Sequence, residues 1–224
     1  LFKQGAAAFG GFAIGQGIAQ SLTEGFKGVI QGEQLQTAFE TIIGSSEKAK
    51  KTLQSLATFA KTTPFELPEV QKAAKQLLAF GFAAEELEPT LRKIGDIAAG
   101  VGVPIDELAQ IFGKVKTQGK LTREELLLFL ERGIDIQPAL MRIVGATTGE
   151  EFNKAVEQGK VNFRELSLGI DELTTTGGRF AGLMEKQSLT LGGQLSNLKD
   201  EFAAVLAQGL TPLMPAFKAV VEIL

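Results

Sequence analysis

The chain has 224 residues, 44% of them hydrophobic and 22% charged, with a formal net charge of −3. That is ordinary for a globular protein of one large or two modest domains, and it offers no broad basic field for nucleic acid. All 16 aromatic residues are Phe, and His, Cys, Tyr and Trp are absent, which excludes the usual zinc sites, Ser-His-Asp and Cys-His nucleophiles and any disulfide framework.

Apolar residues recur at three- and four-residue spacing, and Gly or Pro punctuates the segments. The pattern predicts an all-α protein: a compact multi-helix bundle flanked by long N- and C-terminal helices, with no β-sheet. Three regions follow from it: a Gly/Ala-rich hydrophobic helix over 1–31, a compact helical core over 32–175, and heptad-like helices over 176–224. The chain begins at Leu1 rather than Met and stops within "AFKAVVEIL", the pattern of a piece of a longer chain. No signal-peptide pattern is visible.

In the first region, Gln4 to Thr23 carries no charge over 20 residues, or about 30 Å as a helix. That length could cross a bilayer core, but five glycines and three glutamines favour a helix packing on copies of itself over a membrane span. Gly11 and Gly15 have the spacing that lets helices approach closely.

The core opens with two helices broken at "GSS" (Gly44 to Ser46). Pro68 suits the first turn of a helix that carries Val70, Ala73, Leu77 and Phe80 and ends at Gly81. Pro104 opens a later helix that Gly119 closes. Next come two similar stretches, "TQGKLTREELLLFLERG" from Thr117 and "EQGKVNFRELSLGI" from Glu157. With Gly119 or Gly159 as the sixth residue of a calcium loop, Leu121 or Val161 falls eighth and Glu125 or Glu165 twelfth. Calcium also requires oxygen ligands at positions one, three and five. Those places hold Lys114, Lys116 and Gln118 in the first copy, and Lys154, Val156 and Gln158 in the second. Ammonium groups would repel a dication, so no metal site is expected.

The surviving reading is a helix–turn–helix corner used twice. Gly119 and Gly159 end one helix, Thr122 and Asn162 cap the next, and Glu125 and Glu165 complete capping boxes. The apolar run Leu126–Leu130 belongs in a core rather than in a DNA groove, and sequence-specific nucleic-acid binding is not expected. The carboxylate pairs Glu85–Glu86, Asp106–Glu107, Glu124–Glu125, Glu150–Glu151 and Asp171–Glu172 read as charge at helix starts or exposed turns. "TTTGGR" (174–179) lacks the lysine and the strand–loop–helix setting of a phosphate loop. In the last region, Met184, Leu191, Leu198 and Val205 recur every seven residues with Leu195 and Phe202 offset by four. That is a short heptad seam suited to self-association, weakened by Gly192 and Gly193.

Four phrases, "FAKTTPFELPEVQKAAKQLLAFG" (59–81), "GKLTREELLLFLERGIDIQPAL" (119–140), "VEQGKVNFRELSLGI" (156–170) and "GGRFAGLMEKQSLTLGGQLSNLKDEF" (177–202), closely resemble the core region of phage tail tape measure proteins. The likeness covers about residues 30–205. It implies a structural, non-enzymatic virion protein without cofactors, lying in the lumen of the tail tube after assembly in the host cytoplasm. Such a protein sets tail length and is ejected before the DNA to assist genome delivery. Tail-tube protein, tail assembly chaperones, distal tail or baseplate proteins and the host membrane are the implied partners. A membrane-active or pore-forming helical protein of other origin is the alternative. The family's motif residues are structural, so the resemblance transfers no catalytic, cofactor or metal residue.

Overall fold

A computed structural model describes residues 32–190. Every regular element among the described residues is a helix. The first, α1, runs over 32–43. It is followed by α2 (Ser46–Lys61), α3 (Leu67–Ala79), α4 (Ala84–Val101), α5 (Ile105–Gln118), α6 (Arg123–Glu131), α7 (Gln137–Val144), α8 (Gly149–Glu157), α9 (Phe163–Thr174) and α10 (Leu183–Ser188). Residues 39–190 belong to one compact unit, described here by itself.

Local chemistry sets the helix boundaries. Ser45 accepts a hydrogen bond from the Lys48 N–H at 3.3 Å and starts α2. The Glu69 carboxylate accepts from the Glu66 N–H at 3.3 Å as α3 begins, with Pro in its first turn. At the end of α3, Gly81 takes φ +82°. Its N–H reaches the Leu78 carbonyl while the Phe82 N–H reaches Leu77, the two bonds of a glycine-terminated helix. Gly81 and Gly102 therefore stop α3 and α4 with the orphan carbonyls satisfied.

Helix α4 is the centre of the unit and packs against α2, α3, α5, α9 and α10. Leu87, Leu91, Ile94, Ile97 and Ala98 are buried along it, and their three- and four-residue spacing makes one wide apolar face. The most extensive pairing joins α3 to α5, while α7 lies on α9. Gly113 sits where α5 meets the ring of Phe80, too close for a Cβ to fit. In the same way Gly169 admits Leu140 at the α7–α9 contact.

Three rings tie the second corner to α5. Phe112 lies 4.9 Å from Phe163 and 6.2 Å from Phe82, and Phe82 meets Phe163 edge-on at 5.6 Å. The Lys116 ammonium stands 3.7 Å above the Phe82 ring and 2.9 Å from Glu86. That bond, then the Ala83 N–H, holds the Glu86 carboxyl below the ordinary glutamate value.

Two expectations are corrected. The run Leu126–Leu130 is not a core segment: Phe129 is buried, but Leu127 and Leu130 are 56% and 57% exposed. Five consecutive apolar residues wrap a helix on all sides, and the bundle touches only one side of α6. Asp171 and Glu172 lie in the last turn of α9 rather than at a helix start, and cations from other helices hold them. Lys93 pairs with Asp171 at 2.7 Å, and Arg142 with Glu172.

Candidate functional site: the paired glycine corners

Gly119 has φ +74° and ends α5, its N–H bonded to the Val115 carbonyl at 2.9 Å. Gly159 has φ +69° and follows α8; its N–H meets Val156 at 3.0 Å and the Lys160 N–H meets Ala155 at 2.9 Å. Both positions are left-handed, where a Cβ is strained. Leu121 and Val161 follow two residues later, both fully buried. Between them the two corners touch directly, the Leu121 N–H donating to the Val161 carbonyl at 2.8 Å. The Arg123 guanidinium adds a second tie, 2.8 Å from Glu157.

The caps differ in detail. Thr122 turns both its N–H, at 3.0 Å, and its hydroxyl toward the Glu125 carboxylate. Asn162 accepts from the Arg164 N–H at 2.8 Å and donates its own N–H to Glu165 at 3.2 Å. A third box precedes α8. There the Thr148 hydroxyl accepts from the Glu151 N–H at 3.2 Å, and the Glu151 carboxylate accepts from Thr147 at 2.7 Å. Each cap contributes about 1 kcal/mol.

The lysines that disqualify calcium have structural partners of their own. Lys114 reaches across the first corner to Glu124 at 2.8 Å and to Glu125 at 2.9 Å. The Glu125 side chain is only 1% exposed, so a fixed cation compensates a buried carboxylate. Glu124 first, and Glu125 second, raise the Lys114 ammonium above the ordinary lysine value. At Glu125 burial is the largest single influence and disfavours ionisation. The Thr122 hydroxyl, the Lys114 ammonium and the Thr122 N–H together outweigh it, and the carboxyl ends below the ordinary value. Because α5 continues through Gln118, residue 116 points to the opposite side of the helix from residues 114 and 118, and the three cannot converge on one ion. In the second corner Lys154 pairs with Glu150 at 2.8 Å and Val156 is buried. No group of three or more acidic residues able to hold a metal occurs among the described residues.

Glu125→Gln tests this arrangement. It keeps the shape and removes the charge that Thr122 and Lys114 stabilise, at an expected cost of about 1–2 kcal/mol near neutral pH. A carboxyl depressed on folding contributes stability above its unfolded value of about 4.3, and that contribution is lost as pH falls through the lower folded value. The gap between wild type and variant, read from urea midpoints, should therefore narrow on acidification from about pH 6 to pH 3. A constant gap would refute the assignment.

Of the heptad positions, only Met184 lies among the described residues; Leu191, Leu195, Leu198, Phe202 and Val205 lie outside them. Met184 and Phe180 are buried against glycines of α4. A Cβ on Gly95 would come within 2.9 Å of the Met184 sulfur, and one on Gly100 would collide with the Phe180 ring and approach Leu183 to 2.8 Å. Two polar contacts complete the strap: the Met184 N–H donates to Asp96 at 3.0 Å, and the Gln187 amide donates to the Ala99 carbonyl at 2.6 Å. Gly100→Val should displace 180–188 while leaving α3 to α5 in place. Tryptic cleavage after Arg179 and Lys186 should accelerate, with amide exchange in α3 and α5 unchanged; equal cleavage would show that the glycine is not what seats the strap.

The candidate span 4–23 also lies outside the described residues, and among those described no helix is long and apolar enough to cross a membrane. A family model described as "Tape measure protein" matches residues 23–209. The chain belongs to the tape measure protein family. The match takes in both corners, the bundle and the 180–188 strap, and places this tape measure chain among structural proteins of phage tails. Comparison with curated proteins and with solved structures finds no match.

Sequence reasoning missed several residues of the tape measure fold described above. Lys114 was visible only as an obstacle to calcium, because its partnership with Glu125 depends on how α5 meets α6. Thr148 with Glu151 carries the same Thr-x-x-Glu signal as Thr122 with Glu125 and was readable. Nothing local marks Gly95 and Gly100 as the seat of Phe180 and Met184.

Proposed function

We propose that this chain is part of the ruler of a phage tail: it sets tail length, scaffolds polymerisation of the tail tube and leaves ahead of the DNA. The family match over residues 23–209 carries this reading, and the all-helical bundle supports it. A ruler assembled before its tube closes must not present sheet edges that recruit other chains, and no strand occurs among the described residues. In this reading tail-tube subunits, assembly chaperones and distal tail proteins are its partners, and copies associate through the heptad positions that follow Met184, from Leu191 onward. The uncharged stretch 4–23 is the part that meets the host membrane after ejection. Within the ruler, residues 39–190 act as a folded island held by the paired corners.

The test is genetic. In a phage carrying the full-length gene, helical residues outside 39–190 are added or removed and tail lengths are measured by electron microscopy. Length should follow helix at about 1.5 Å per residue. Tails of unchanged length would overturn the proposal.

A further inference from the structure

Helix α6 carries more apolar surface than the bundle uses. Of its leucines, Leu127 and Leu130 stand 56% and 57% exposed, beside the fully buried Ile134 and Ile136. Together with Leu126 they line a groove of about 280 Å³ whose rim holds Arg123, Asp135, Gln137 and Asn153. The groove is preformed. The turn that closes it is fixed by the Gly133 N–H on the Leu130 carbonyl and the Ile134 N–H on Phe129, both at 2.9 Å. Two neighbouring exposed leucines at the mouth of a preformed groove offer a seat for an apolar partner.

The charges and the size of the patch select it. Arg123 is neutralised by Glu157, whereas Asp135 is exposed and has no ion-pair partner among the described residues. Among those residues, the one unpaired charge on the rim is therefore the Asp135 carboxylate. A second copy fits poorly, because an isologous contact would bring Glu131 and Asp135 of both copies together. Two exposed leucines also fall far short of the roughly 800 Å² per partner of a stable interface. A short helix laid in the groove asks for much less area, and anchors at three- and four-residue spacing match the leucine pair.

We propose that the groove between α6 and the 133–136 turn docks a basic amphipathic helix of a partner chain. Its apolar stripe lies on Leu127 and Leu130, and a Lys or Arg beside that stripe meets Asp135. The proposal is independent of the ruler function: either can fail without the other.

The whole chain, labelled at leucine methyls, is titrated with three helical peptides of about 15 residues, or four turns. One is Leu/Lys with its leucines on a single stripe, one is Leu/Glu with the same stripe, and one is Leu/Lys with the leucines dispersed around the helix. The striped Leu/Lys peptide should shift the Leu127 and Leu130 methyls and bind about tenfold more tightly than either control. Leu127→Ser with Leu130→Ser, both on the surface and so compatible with folding, should weaken it about tenfold. Asp135→Asn should reduce the preference for Lys over Glu. Equal binding of the three peptides overturns the proposal, as does undiminished binding by the double serine variant. A wild-type dimer abolished by the serine substitutions, or adsorption to anionic vesicles abolished by them, would assign the groove to a second copy or to a membrane and equally overturn it.

Discussion

Replacing Phe112 by alanine is expected to cost about 3–5 kcal/mol of unfolding free energy, the largest loss from any single side chain described above. Phe112 is 2% exposed and sits between Phe82 and Phe163. It therefore joins the turn after α3, the middle of α5 and the first residue of α9. Truncation opens a void that neighbours fixed by backbone caps on three sides cannot collapse to fill. At about 2–4 °C per kcal/mol for a unit of this size, the melting temperature should fall by roughly 10 °C. Phe112→Leu, which keeps most of the volume, should cost under about 1.5 kcal/mol. Lys116→Met keeps the alkyl stem over the rings and removes the ammonium from Phe82 and Glu86; about 1 kcal/mol is expected there. Urea denaturation of the three variants reads the order directly. If Phe112→Ala cost no more than Phe112→Leu, the rings would not be the clamp that fastens the second corner to α5.

What was legible in the sequence was local. A glycine at a left-handed position, an apolar residue two later and a Thr or Asn three before a Glu are all set within about eight residues, so Gly119–Glu125 and Gly159–Glu165 could be read as helix corners without a structure. The helical class was legible for the same reason, since three- and four-residue spacing is a property of one segment at a time. What stayed hidden depends on which segments meet. The Leu121 to Val161 hydrogen bond and the reach of Lys114 to Glu125 require the angle between helices. The exposure of Leu127 and Leu130 could not be read from "LLLFL", because an apolar run says that a helix will be covered without saying by what. Met184 shows the same limit. Its seven-residue spacing to Leu191 suggests a seam, while the structure seats it on Gly95, a residue that sequence alone marks only as a weak spot in a helix.

In the proposed ruler role, deleting residues 39–190 should shorten the tail by roughly 40 Å. That is the diameter of a compact unit of about 150 residues, whereas the same residues drawn out as one helix would account for about 225 Å. The distinction follows from the core. Opening the unit would expose Phe59, Phe112, Phe129 and Phe152, each 2% exposed or less in the bundle, and would part the Leu121–Val161 tie and the Lys114–Glu125 pair. Adding one helical turn to the tube gives nothing comparable in return. An island that keeps these contacts therefore contributes its width to the ruler and not its contour length. A companion phage with about 50 residues of helix inserted elsewhere should gain about 75 Å, and it separates a failure to assemble from a failure to measure. Loss of about 225 Å on deletion would mean that the bundle unwinds in the tail, and the corners would then serve folding before assembly rather than the ruler itself. No change in either phage would remove the ruler reading from this part of the chain.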